Sequence, residues 1–342
     1  MNTAPALRPL AIGKSVAVEK KIEEQQFDIK KSLDRLVSPV TRGDPESALR
    51  WTCKSTYQLK VELNHQGYQV CSKTIGRLLK EVGYSLQSPR KTDEGGKHED
   101  RDAQFNFINS KVESFQVCGK PTLSVDTKKK ENIGNYANKG KEYQPKGQPD
   151  QVKVYDFIDK KKGKVAPYGI YDIGQNVGFV NIGISSDTAE FAVNSIRKWW
   201  DKMGRDRYKQ SEAILITADC GGSNGNRVRL WKMKLQELAN ELQKEIHVCH
   251  FPPGTSKWNK IEHRMFCHIS GNWRGKSLST RQTVVNLIGS TKTKEGLSMQ
   301  AELDKNQYKK GQKVSDKEFA KLNITKMEFH GEWNYIIKPN LL

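Results

Sequence analysis

The 342-residue chain has no apolar run approaching the ~18 residues of a membrane-spanning helix, and its mean hydropathy is −0.75. A membrane span is excluded. The first twenty residues, which include Pro5, Arg8, Pro9 and Lys14, lack the apolar core of a secretion signal. Cysteine is sparse: Cys53, Cys71, Cys118, Cys220, Cys249 and Cys267 are scattered without paired spacing, which excludes a disulfide scaffold and fits a reducing cytosol. There is no internal repeat and no low-complexity tract. Acidic residues fall short of basic ones, 39 against 58, leaving a net charge of +19 and a pI near 9.5. Such an imbalance points to a polyanionic partner, most simply DNA or RNA.

What is present suggests about two domains. Residues 1–43 are weakly patterned, although Ile22 to Leu36 reads as a charged amphipathic helix; Pro39 to Pro45 reads as a linker carrying the turn Arg42-Gly43-Asp44-Pro45. Residues 44–102 hold two short helices. The first is capped by Ser55 or Thr56, with Leu59, Val61 and Leu63 as apolar positions, and ends near Gly67. The second, N-capped by Ser72, runs from about Lys73 to Val82 and stops at Gly83. Two short helices joined by a Gly-containing turn are the helix-turn-helix pattern, whose second helix would offer Lys73, Thr74, Arg77 and Lys80 to DNA. An ordinary helical hairpin with a solvated basic face has the same pattern; the global charge favours the DNA reading. Residues 88–102 read as an exposed linker, and a helix from about Ala103 to Phe115 leads onward.

Residues 103–280 read β, β, β, α, β, α, β, α. Strand one ends at Asp126. Tyr168–Ile173 and Val177–Ile184 form a hairpin around Gly174-Gln175-Asn176, and Val152–Ile158 is a further strand candidate. Asp187 or Thr188 caps a helix through Trp200 with Phe191, Ala192, Ile196 and Trp199 on one face. Ala213–Asp219 is a short apolar strand of a covered sheet, Arg227–Leu242 is helical, Glu245–Cys249 is a strand, and Lys257–Trp273 is a helix capped by Ser256. That order is ribonuclease H-like: an α/β fold with a mixed five-stranded sheet flanked by helices. Residues 281–342 read as an α+β extension of it.

In that order the first and fourth strands are central neighbours, so Asp126 and Asp219, each ending an apolar strand, come together. Glu262 follows on the helix after Pro252-Pro253-Gly254. The spacings are 93 and 43 residues. Three carboxylates so placed suit two divalent cations about 4 Å apart. Singly each acid means little, since a strand-end Asp is commonly a turn former and a charged helical residue a solvated face. Lys128, Lys129 and Lys130 follow Asp126 and suit a phosphate backbone, and the Gly-rich loop after Asp219 lacks the P-loop lysine spacing. His247, Cys249, His250, His263, Cys267 and His268 lack a clean zinc spacing; His250 and His263 are candidates for supporting or phosphate-facing roles. Basic and aromatic residues interleave at Arg227, Arg229 and Trp231, and at Trp273 and Arg274, a pattern for backbone contact and base stacking, although both tryptophans equally suit a core. Lys257 and Lys260 flank the last acid.

Several longer strings carry a resemblance: Arg-Gly-Asp-Pro (42–45), Leu-Arg-Trp-Thr-Cys-Lys-Ser-Thr (49–56), Ser-Val-Asp-Thr-Lys-Lys-Lys (124–130), Asp-Thr-Ala-Glu-Phe-Ala (187–192), Ile-Thr-Ala-Asp-Cys-Gly-Gly-Ser-Asn-Gly (216–225), the stretch Cys249–Arg264, and Phe-His-Gly-Glu-Trp-Asn-Tyr (329–335). From about Gly43 onward the chain resembles the Rhodopirellula-type (ISAzo group) DDE transposases of bacterial insertion sequences. The resemblance implies a polynucleotidyl transferase that cuts and joins DNA at element ends. Its metal ligands would be Asp126, Asp219 and Glu262, holding two Mg²⁺ (or Mn²⁺) ions. Double-stranded DNA, as terminal inverted repeats and target, would be its partner. It also implies a homo-oligomer on DNA in the bacterial cytoplasm, associated with the nucleoid. Members of that family look longer at the N-terminus, with an additional helix-turn-helix segment before Arg-Gly-Asp-Pro; the expectation is of a shortened N-terminal region. Two other readings stand beside it: a non-catalytic DNA-binding remnant or regulator of an element, and a ribonuclease H-like nuclease without transposition.

Overall fold

A computed structural model describes residues 28–37, 55–86 and 98–340. The expected turn Arg42–Pro45, the linker around it and most of the expected linker 88–102 lie outside these. The described residues form two compact units that divide between Lys91 and Thr92.

The first unit contains α1 (28–37), α2 (Thr56–His65) and α3 (Ser72–Glu81). Ser55 is the cap of α2: its hydroxyl accepts from the Gln58 backbone N–H at 3.1 Å, while the Gln58 side chain accepts from the Ser55 N–H at 2.9 Å. This reciprocal pairing satisfies two of the backbone donors left over at a helix start. Leu59 and Leu63, one turn apart, are buried, whereas Val61 points outward. In α3 the capping position belongs to Cys71 rather than Ser72, which is the first helical residue; Cys71 Sγ meets Thr74 Oγ1 at 3.2 Å. Gly83, at φ +89°, reverses the chain after the helix, as expected of its lack of a Cβ. Leu33, Val37, Leu59, Leu63, Ile75 and Leu78 make one core, so α1 is part of this unit. Each such side chain contributes about 1.5–3 kcal/mol on burial.

The second unit runs α4 (Arg101–Val117), β1 (Thr122–Thr127), β2 (Glu131–Asn132), β3 (Lys164–Asp172), β4 (Val177–Gly183), α5 (Ala189–Trp199), then a π turn (Trp200–Gly204) and the single-turn α6 (Arg205–Arg207). It continues with β5 (Ala213–Ala218), α7 (Arg229–Leu242), β6 (Glu245–His250), a π turn (Glu262–Phe266) leading into α8 (Cys267–Asn272), α9 (Arg281–Gly289), β7 (Ser298–Asp304), α10 (Asp316–Phe319), β8 (Ile324–Lys326) and β9 (Asn334–Ile337). Thr188, one of the two expected caps, accepts from the Phe191 N–H at 3.3 Å.

The architecture is mixed α/β, with one sheet flanked by helices. Its centre has the order β4-β3-β1-β5-β6, with β3 antiparallel to β1 and β4, and β1, β5 and β6 mutually parallel. The five-strand expectation is too small. β7 joins beside β4, β9 and β8 extend the sheet beyond β6, and β2 pairs with the start of β3, making nine strands. The added strands come largely from the C-terminal segment, and they cover both edges of the five-stranded centre, where backbone N–H and C=O groups would otherwise stand unpaired. β7 alternates polar and apolar residues, and β2, β8 and β9 are two to four residues long, which hid them.

Two further expectations fail. Val152–Ile158 is not a strand; Val154, Tyr155 and Phe157 are exposed, and the segment is held by the Lys153 N–H on the Asn135 carbonyl and the Tyr136 hydroxyl on the Phe157 carbonyl. The helix expected over Lys257–Trp273 is broken. Ser256–Trp258 is a 3₁₀ turn that Ser256 does not cap, and the continuous helix gives way to the π turn that Glu262 opens.

Apolar residues alternate across the sheet. Leu123, Val125, Ile214, Ile216 and Ala218 face α5 and α7, with Phe191, Trp199, Trp231 and Leu235 in the same core. On the opposite face α4 packs Ile108, Val112 and Phe115 against Leu215 and Cys249. The π turn, α8 and α9 form a third core with β3, β4 and β7.

Candidate active site

β1 and β5 run parallel with Thr122 opposite Leu215, Leu123 opposite Ile216 and Ser124 opposite Thr217. The offset is 93 residues at every pair, the same as the spacing between the two aspartates. Continuing the register places Asp126 level with Asp219. Side chains alternate along a strand, so both acids lie on the face opposite Val125 and Ala218, away from the α5/α7 core.

Glycine lets the third acid approach. Gly169 pairs with Asp126 across β1 and β3, and a Cβ there would stand 2.5 Å from Phe266 and 2.6 Å from Met265. A Cβ on Gly178 of β4 would run into Met265 Sδ. The two missing side chains make the trough in which the π turn sits, and that turn begins at Glu262.

Asn259 joins the pieces. Fully buried, it donates from Nδ2 to Asp219 Oδ1 at 3.2 Å and to the Val125 carbonyl at 3.1 Å. Its Oδ1 accepts from the Ser124 hydroxyl at 2.5 Å, and that hydroxyl accepts from the Ile261 N–H at 3.0 Å. The Glu262 N–H donates to the Asn259 carbonyl at 3.1 Å. One side chain thus fixes the end of β1, the carboxylate of Asp219 and the start of the turn bearing Glu262. Asn259 and the two glycines were missed in the sequence. The signal for Asn259 was its place three residues before the acid in Trp-Asn-Lys-Ile-Glu.

The electrostatics reflect this crowding. Burial, then the charge of Asp219, and also those of Glu262 and Asp187, lift the Asp126 carboxyl well above the usual range, against one hydrogen bond from the Thr127 N–H at 2.7 Å. Burial also raises Asp219; the Asn259 hydrogen bond opposes this and the Glu262 charge adds to it. Glu262 is raised by burial and eased by the charges of Lys128 and His263. Like charges in a low-dielectric site repel, and a divalent cation bound by oxygen is the partner that would relieve them, although among the described residues the ligand atoms of these three acids are not drawn together into one metal-binding group.

Asp126 and Asp219 line a cavity of about 790 Å³ together with Lys128, Lys129, Lys130, Asp187, Arg227 and the loop from Cys220. Glu262 contributes charge to the pair but is not part of that lining. The other expected contact residues separate. Lys128 is buried over the Trp273 ring, its Nζ 4.7 Å from the centroid and 3.9 Å from Glu131; desolvation lowers its pKa. Lys130 pairs with Asp187 at 3.5 Å, and Thr127 Oγ1 donates to the same carboxylate at 3.2 Å. Arg229 turns away to Asp316, 2.5 Å, and to the Phe319 ring. Lys257 lies over the Trp258 ring, Lys260 is half-buried with its pKa lowered by burial and then by the charge of Arg264, and Arg274 packs against the Gly140 backbone. Trp231 and Trp273 are both core.

His250 is buried; its Nδ1–H donates to the Asp219 carbonyl at 2.8 Å, and its Nε2 accepts from the Tyr335 hydroxyl at 3.0 Å. Burial pushes its pKa down to about 4, so the ring is neutral and holds the backbone of β5 where the acid leaves it. His263 is exposed and contacts the Lys257 carbonyl. His247 pairs with Glu245 at 3.1 Å, and among the described residues no metal-binding group arises from the His/Cys set at 247–268. In the first unit Lys73, Arg77 and Lys80 are exposed on α3, Thr74 is half-exposed, and Arg77 lies 3.7 Å from Glu81.

The family described as "Rhodopirellula transposase DDE domain" matches residues 32–339, and the chain belongs to that family. No curated protein matches. Among solved structures the chain is similar to three of the Mos1 transposase. These are a paired-end complex with the left transposon end (13% identity, 83% of this chain and 72% of that one, TM-score 0.39), a paired-end complex with Mn (15%, 77% and 77%, 0.40), and one with Mg (14%, 75% and 68%, 0.40).

Proposed function

We propose that this member of the transposase DDE-domain family is an insertion-sequence transposase: a ribonuclease H-like polynucleotidyl transferase that cleaves DNA at element ends and joins the freed ends to a target. The observation that carries the reading is the shared 93-residue offset. The sheet register and the acid spacing coincide, and Asn259 ties both strands to the turn of Glu262.

Asp126, Asp219 and Glu262 would hold two Mg²⁺ or Mn²⁺ ions, and the fit rests on three partly buried carboxylates whose pKa values are all raised, that of Asp126 by burial and then by the charges of the other two, and that of Asp219 by burial and then by the charge of Glu262. Bound there, such ions supply Lewis-acid stabilisation to phosphoryl oxygens. The protein's own part is positional. Lys129, Lys130 and Arg227 line the cavity and neutralise the DNA backbone, and the Gly221-Gly222 loop brings its main chain close to a strand. Asn259 and neutral His250 keep Asp219 aimed. The reaction is in-line displacement at phosphorus, first by water, leaving a 3′-hydroxyl, then by that hydroxyl on target DNA. In this reading α2 and α3 form a helix-turn-helix, with α3 presenting Lys73, Thr74, Arg77 and Lys80 to duplex DNA.

The test is to incubate the full chain with duplexes carrying the ends that flank its own gene, with Mg²⁺, and to map the products. Specific 3′-hydroxyl ends that later appear joined to target DNA are expected. Cleavage without joining favours the nuclease, and binding without either favours a regulatory remnant.

A further inference from the structure

A second group of ligand-type side chains lies at the N-terminal end of α4, outside the carboxylate site. Asp100 is the N-cap residue of α4, and its Oδ2 lies 3.0 Å from His330 Nε2 and 4.0 Å from His98 Nδ1. One donor atom from each of the three residues lies within 4.8 Å of the others. Around a tetrahedral zinc ion with bonds of about 2.0–2.1 Å the donors stand about 3.4 Å apart, so closing the set requires His98 Nδ1 to move inward and release the Asp100 N–H that it accepts at 3.2 Å.

The surroundings are those of a ligating histidine. His330 Nδ1, the nitrogen facing away from Asp100, meets Glu332 Oε1 at 2.8 Å. A ligating imidazole characteristically donates its second N–H to a carboxylate, which fixes the tautomer and strengthens the ligand. The ring is clamped: it stacks on Trp333 with centroids 4.4 Å apart and stands edge-on to Phe329 at 4.7 Å, while His98 stands edge-on to Trp333 at 4.8 Å. His330 holds φ +43°, a backbone region costly for a residue with a Cβ, and the tight 330–334 turn maintains it.

We propose that His98, Asp100 and His330 bind a single divalent cation of the zinc class. Two imidazole nitrogens and one carboxylate oxygen suit Zn²⁺ or Co²⁺, whereas Mg²⁺ prefers oxygen alone. The fourth position is left to solvent. The ion fastens the start of α4 to the turn before β9, and Trp333 in that turn lines the acid-bearing cavity. The rival account is that the hydrogen bonds joining His330 to Asp100 and Glu332 are the whole function of the cluster.

Tag-free full chain bearing D126N, D219N and E262Q removes the carboxylate site as a competing metal binder. Titrated with Co²⁺ in excess Mg²⁺, it should take up one equivalent and show the intense visible band of low-coordinate cobalt with nitrogen ligands. Zn²⁺ should bleach that band and raise the melting temperature. H98N and H330N, Asn being tolerant of positive φ, should each abolish the band, and E332Q should weaken binding roughly 10–100-fold. Circular dichroism in EDTA confirms that the variants fold, and D100N, which keeps the side-chain shape, provides a second ligand variant. Failure of the parent chain to show the band, or its survival in folded H98N and H330N, overturns the proposal.

Discussion

Substituting Asp126 by Asn separates the cost of the carboxylate site from its use. Asp126 is partly buried at the end of β1, and burial and the charges of Asp219, Glu262 and Asp187 hold its pKa well above the usual carboxylate range. The metal-free native state therefore keeps a proton that the unfolded chain has already lost. For a carboxyl raised in this way, the stabilising contribution is complete below the unfolded pKa and disappears as pH climbs toward the folded one. Within that window the wild-type stability falls by about 1.4 kcal/mol per pH unit for one retained proton. Between pH 5 and 7 this reaches at most about 2.7 kcal/mol, or roughly 5–10 °C in melting temperature for a unit of this size. D126N has no carboxyl to titrate there. In EDTA its melting temperature should lie above that of the wild type at pH 7, with the gap narrowing toward pH 5. Saturating Mg²⁺ should reverse the order, because only the wild type retains the full ligand set. Melting curves at both pH values, with EDTA or Mg²⁺, decide the matter. If D126N is the less stable protein in EDTA at pH 7, or if the gap does not change with pH, the carboxylates do not share a low-dielectric site.

Asn259→Ala should weaken Mg²⁺ binding about tenfold while the fold persists, since it removes the donor on Asp219 and the link to Glu262; Mg²⁺-dependent melting shifts measure this, and an unchanged midpoint would show that Asn259 only packs. Gly169→Ala should push the π turn off the sheet and destabilise the protein by about 1–3 kcal/mol, and it should depress DNA cleavage more than the Leu215→Val change on the α4 side; comparable cleavage by the two would detach Gly169 from Glu262. Replacing Lys73, Arg77 or Lys80 by Ala should reduce the slope of log affinity against log salt by about 0.9 for each lost phosphate contact. A slope unaltered in all three variants removes α3 from the interface.

The parts of this molecule that were legible in the sequence are those governed by short-range pattern. Asp126 and Asp219 each follow a run of buried residues, and a parallel pair with constant offset converts spacing into adjacency. The Ser55 and Thr188 caps were legible to within one residue, each as one of two candidates, because a cap is a contact within three residues, whereas the caps expected at Ser72 and Ser256 are not formed. The pattern did not carry the partner of a side chain. Lys128 and Arg229 look alike as basic residues beside aromatic ones, yet one is buried over Trp273 and the other bound to Asp316, far along the chain. The outer strands were hidden for the same reason: β7 owes its pairing to a strand edge formed by distant residues, not to an apolar run of its own, and the apolar run of β9 is only three residues long.

The break in the last helix shows how such a distant constraint becomes functional. A helix starting at Ser256 and running uninterrupted would place Glu262 by helical geometry alone. Here the 3₁₀ turn ends at Asn259, whose side chain is committed to the β1 and β5 ends. The chain then re-enters helical geometry through a π turn, which adds a residue to the turn and rotates the helix beyond it. Met265 and Phe266 are thereby set into the trough over Gly169 and Gly178. Glu262 is consequently located by the sheet, through Asn259 on one side and the glycine trough on the other. In this site the sheet that fixes the two aspartates also fixes the third acid, so disturbing any of these three anchors should move the carboxylate without altering the acid itself.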